Sequence, residues 1–111
     1  MKLQMQATSG DFGLSPRALS LIRGVLDGHP EINRAIIYGS RAKGNYRTGS
    51  DIDLTLDAPQ LTFSELLRID SELDDLMLPY SFDLSLLKQI DNPGLLSHIA
   101  RVGKPLWSKT E

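Results

Sequence analysis

The chain has 111 residues, 41% hydrophobic and 23% charged, which is enough sequence for one globular core and not for a core plus a second domain. Twelve basic residues against 14 acidic ones leave a formal net charge of −2, so the long-range attraction for phosphate shown by bulk nucleic-acid binders is missing. Without cysteine there can be no disulfide, thiolate zinc site or cysteine nucleophile; Met1 to Gly13 has neither the apolar core of a signal peptide nor a membrane span, so a cytoplasmic location with no membrane partner is expected.

Residues 1–13 read as a flexible N-terminal segment and 14–108 as a single domain. Ser15-Pro16 is an N-cap and first-turn pair. Ala18, Leu19, Ile22, Val25 and Leu26 then keep one helix face apolar until Gly28 and Pro30 stop it. Ala35-Ile36-Ile37-Tyr38 has the pattern of a buried strand and runs into a turn at Gly39-Ser40, where a short helix can begin. After a basic, Gly-rich loop from Arg41 to Gly49, Asp51 to Leu56 alternates polar and apolar as a half-buried strand, closed by Pro59. Thr62-Phe63-Ser64-Glu65 is a capping box, and Leu66, Leu67, Leu73, Leu76 and Met77 predict a helix of about four turns that ends before Pro79. Phe82 to Leu86 alternates again. Asn92-Pro93 starts a last helix through Leu95, Leu96, Ile99 and Val102, stopped by Gly103. The order α, β, β, α, β, α predicts an α/β (α+β) fold, a small mixed sheet with helices packed on one face.

Three acidic residues fall on two of these strands. Asp51 and Asp53, two apart, point to one face with Cα atoms about 7 Å apart, while Ile52, Leu54 and Leu56 face the core. Asp83 has the same phase against Phe82 and Leu84. If the strands are neighbours, three carboxylates share a face and their repulsion asks for a cation. Mg²⁺ fits, because it takes one or two carboxylates and completes its shell with water and substrate phosphate. His29 and His98 sit in unrelated contexts, which makes a zinc site hard to assemble, and neither enters the expected mechanism. At the strand end, Gly39 lets phosphate approach the main chain, Ser40 adds a hydroxyl, and Arg41 is the best placed of three loop cations, ahead of Lys43 and Arg47. Glu72, Asp74 and Asp75 read as a solvated helix face, and Tyr46 and Trp107 as exposed apolar contacts.

Gly39-Ser40, ten residues, then Asp51-Ile52-Asp53 matches the signature of the DNA polymerase β-like nucleotidyltransferase superfamily in its minimal form. The stretches Gly-Ser-Arg-Ala-Lys-Gly and Ser50-Asp51-Ile52-Asp53-Leu54 especially resemble minimal nucleotidyltransferases (MNT proteins) that are paired with HEPN-domain proteins. The resemblance implies that Gly39 and Ser40 hold a triphosphate, with Arg41 beside them, and that Asp51, Asp53 and Asp83 bind catalytic Mg²⁺. Asp83 would also orient and deprotonate the acceptor hydroxyl. It further implies ATP as substrate, a hetero-oligomer with a HEPN ribonuclease toxin, and adenylylation of a toxin tyrosine by this chain as antitoxin. Two other functions stay open at this point: a non-catalytic nucleotide-binding antitoxin, and a small-molecule nucleotidyltransferase completed by a partner.

Overall fold

Ser15 caps the first helix, α1 (Pro16–Asp27), by accepting a 3.1 Å hydrogen bond from the Ala18 N–H, and Pro16 occupies the first turn, where its missing N–H costs nothing. In the computed structural model, which describes residues 12–109, α1 is followed by β1 (Arg34–Tyr38), α2 (Gly39–Lys43), β2 (Ile52–Asp57), α3 (Phe63–Asp74), β3 (Phe82–Leu86), α4 (Pro93–Val102) and β4 (Lys104–Ser108). The result is the α+β architecture with a mixed sheet that the sequence predicts, four helices against four strands in the order β3-β2-β1-β4. Of the expected N-terminal segment, residues 1–11 lie outside the described residues. Phe12, its next residue, is not loose: it is 8% exposed and belongs to the main core.

β1 pairs antiparallel with both β2 and β4, whereas β2 and β3 run parallel. A parallel pair needs a crossover, and α3 supplies it, opened by the expected capping box in which Thr62 and Glu65 satisfy each other's backbone N–H groups. Period-two alternation divides the strands between two faces. Ala35 and Ile37 of β1, with Ile52, Leu54 and Leu56 of β2, are buried against α1 and α3, which contribute Ile22, Leu26, Ile69 and Leu73 to the same core. Burying each such Leu or Ile stabilises the fold by about 1.5–3 kcal/mol relative to exposure. Ile36 and Tyr38 point the other way, and α4 covers them with Ile99. Both faces of β1 are apolar, so the helices are not confined to the one face that the sequence predicts: α1 and α3 take one and α4 takes the other.

β4 has no counterpart among the sequence-predicted elements, because Pro105 cannot donate to a ladder and argues against a strand. It is tolerated here because β4 is an edge. Trp107, expected to be exposed, is half-buried on that strand and donates to Asp27 Oδ1 at 3.2 Å. Glu72 likewise has a partner, His29 Nε2 at 2.7 Å, rather than standing on a purely solvated face.

α3 stops at Asp74, short of the predicted Leu76 and Met77. The N–H groups of Leu76 and Met77 turn back to Leu73 and Asp74, and Met77 adopts φ +57° while 86% exposed. The left-handed conformation costs an L-residue roughly 1–2 kcal/mol, part of which glycine's greater unfolded-state entropy takes back. Met77→Gly is therefore expected to stabilise the protein by about 0.5–1 kcal/mol, a few degrees in Tm by thermal denaturation. A lower Tm would show that the side chain contributes packing despite its exposure.

Candidate active site

The site grows from the sheet register. Tyr38, the last residue of β1, lies opposite Asp53 of β2, and Asp53 lies beside Asp83 of parallel β3. Adjacent strands are about 4.8 Å apart, so the Asp53 and Asp83 carboxylates share one face as neighbours. Asp51 immediately precedes β2 and shares the parity of Asp53. Among the described residues, no three His, Cys, Asp or Glu side chains meet as a ready-made metal cage. Mg²⁺ does not require one, since substrate phosphate and water supply most of its oxygens.

Electrostatics mark Asp53 as the centre of this cluster. Burial, followed by the charges of Asp83 and Asp51, pushes its carboxyl above the ordinary range, and His98 opposes the shift. Beneath it, burial first, and then the Asp83 and Asp53 carboxylates, raise the Tyr38 hydroxyl against a hydrogen bond with Ser85. The Ser85 hydroxyl in turn donates to Thr55 Oγ1 at 2.9 Å, so the buried hydroxyls on this face are satisfied internally.

Gly39 begins α2 at φ +73°, and a Cβ there would collide with the Asp53 carboxylate. Glycine is thus required twice, for its backbone angle and for the close approach. Its N–H does not face open solvent: it donates to His98 Nε2 on α4 at 3.1 Å, and the His98 ring meets the edge of Tyr38 at a centroid separation of 6.1 Å. Sequence reasoning set His98 aside. The available signal was its position three residues after Leu95, which places the two side by side on the sheet-facing side of α4.

Gly39, Ser40, Asp51, Asp53 and Asp83 gather at one end of the sheet, but Arg41 is turned away from them into the protein. It is 3% exposed; its Nε and Nη2 donate to the Ser50 carbonyl at 3.1 and 2.9 Å, and its Nη1 donates to the Phe12 carbonyl at 3.0 Å. Its guanidinium lies 5.2 Å from the Tyr46 ring centre and 5.0 Å from that of Tyr80. These contacts turn its donors away from the Gly39 turn, beside which the sequence reading expects it. Arg41 is a brace on the residue preceding Asp51, and its hydrogen-bond fork reaches carbonyls rather than solvent. Lys43 and Arg47 remain exposed.

A profile of the polymerase beta nucleotidyltransferase family matches residues 21–111, which include every residue of this site. The chain belongs to that family. No curated protein matches it. Among solved structures, a toxin–antitoxin complex with AMP-PNP aligns at TM-score 0.66 and 24% identity over 82% of this chain and 73% of the other. The complex of a tri-AMPylated Shewanella oneidensis HEPN toxin with its MNT antitoxin aligns at 0.61 and 20%, over 84% and 71%. An MntA–HepT toxin–antitoxin pair aligns at 0.61 and 21%, over 86% and 74%. At these identities the likeness is one of fold alone. Among its described residues no helix is long and apolar enough to cross a membrane.

Proposed function

We propose that this nucleotidyltransferase is an MNT antitoxin that transfers AMP from ATP to a tyrosine hydroxyl of a HEPN ribonuclease toxin, with residues 14–108 as its catalytic domain. The observation that carries the reading is the register of Asp53 beside Asp83, with the Gly39 turn pressed against Asp53. Family membership and the fold neighbours, which include an AMPylated HEPN complex, support it.

Asp51, Asp53 and Asp83 would hold Mg²⁺, which when bound supplies charge neutralisation for the triphosphate and the departing pyrophosphate. Gly39 and Ser40 keep the triphosphate in line, with the α-phosphorus over the carboxylates. The tyrosine oxygen forms a bond to that phosphorus as the bond to pyrophosphate breaks, and its proton passes to the Asp83 carboxylate and on to water.

Incubation of the purified chain with α-labelled ATP, Mg²⁺ and a cognate HEPN-domain protein should label that protein, and a toxin Tyr→Phe variant should remain unlabelled. Label on a small molecule in the host extract would instead identify a small-molecule nucleotidyltransferase. Toxin neutralised with no label anywhere would identify a nucleotide-binding antitoxin.

A further inference from the structure

The Gly39 N–H is one of the donors through which the candidate site would hold a triphosphate, and it is already engaged by His98 Nε2. A backbone amide can only donate, so Nε2 accepts, and a neutral His98 carries its proton on Nδ1. The acceptor comes from 59 residues away in sequence, on α4, which packs on the same sheet face as Asp53 and Ile36. The ring is held in place by its edge contact with Tyr38. Nothing local to the Gly39 turn would supply this contact; it exists because α4 lies across the face that carries the carboxylates.

We propose that His98 is an internal stand-in for a phosphate oxygen: it occupies the Gly39 amide when no nucleotide is bound and must be displaced when a triphosphate arrives. The inference rests on the reading of Gly39 as a triphosphate contact. It follows from donor arithmetic, because one N–H directed at Nε2 with good geometry is not free for a phosphate oxygen. The exchange keeps the half-buried amide satisfied in both states, so the turn at φ +73° holds its shape before the nucleotide arrives. It also lowers apparent affinity, since binding must first release the imidazole, and it links nucleotide occupancy to α4, the helix that bears the ring.

The test is titration of Mg-ATP and of Mg-tripolyphosphate into wild type, His98→Ala and His98→Gln by calorimetry, with circular dichroism as the control for folding. His98→Ala frees the amide and is expected to bind both ligands about three- to tenfold more tightly, the net value of one neutral hydrogen bond. His98→Gln retains an acceptor and is expected to bind more weakly than His98→Ala. Unchanged or weaker binding by folded His98→Ala would overturn the proposal, since His98 would then support the ligand rather than precede it. A second readout applies to the intact protein: in side-chain ¹⁵N spectra, saturating tripolyphosphate should move His98 Nε2 to the position of a nitrogen without a hydrogen bond, and an unmoved resonance in a ligand-bound sample would overturn the proposal. If wild type and both variants bind neither ATP nor tripolyphosphate, the nucleotide reading itself fails and this inference with it.

Discussion

Replacing Asp53 by Asn is expected to lower AMP transfer by about 10²- to 10³-fold, the effect of removing an interaction worth several kcal/mol to the transition state, while leaving the ligand-free protein at least as stable as wild type. The two halves of the expectation have one cause. Asp53 is held half-buried beside Asp83 and Asp51, an arrangement that opposes its ionised form unless a cation is present. Its carboxyl is raised above its ordinary value of 3.8, so the sign is that of a stabilising proton. Stability is highest below that value and falls as pH rises through the folded-state pKa, because the charge then formed is better solvated in the unfolded chain. Asn removes that pH-dependent loss. Denaturation in EDTA should show the variant melting at or above wild type near neutrality, with the difference shrinking as pH falls. In Mg-ATP, wild type should gain stability through ligand binding and the variant should gain little. Wild-type transfer by the variant would remove Asp53 from the mechanism, and a strongly destabilised variant would show that the carboxylate is a structural group.

The second large effect is expected at Arg41. Arg41→Ala deletes three hydrogen bonds to two backbone carbonyls and both aromatic contacts, leaving polar atoms without donors inside the fold. Each buried unsatisfied group costs about 1–3 kcal/mol, so a loss of roughly 3 kcal/mol or more is expected in urea denaturation. Arg41→Lys should fall between, because an ammonium cannot present the same fork to Ser50 and Phe12 or meet the Tyr46 and Tyr80 rings as a planar cation does. Transfer activity should fall with the brace, since Ser50 fixes the approach to Asp51. A variant of unchanged stability that specifically loses ATP affinity would return Arg41 to the role of nucleotide ligand.

Much of this protein was legible in its sequence because the signals were local. Ser15-Pro16, the Thr62–Glu65 box and Asn92-Pro93 each satisfy backbone donors within one helical turn, and each starts a helix where expected. Alternation from Ile52 to Leu56 and from Phe82 to Leu86 places the apolar side chains on the core face and the aspartates on the other, since the pleat allows no other division. Gly39 was also legible, as a glycine at the end of a buried strand. Long-range packing decided the rest. No pattern within residues 104–108 announces a strand containing Pro105; β1 makes it one by offering an edge. The charge on Arg41 suggests a phosphate ligand in an exposed loop, but the carbonyls of Phe12 and Ser50 and the rings of Tyr46 and Tyr80 turn it inward. His98 acquires its partner only because α4 crosses the sheet face that carries Asp53. Sequence determines which backbone groups and side chains need partners and on which face of an element they stand, because those follow from periodicities of 2 and 3.6 residues; which distant atom becomes the partner depends on how the elements stack.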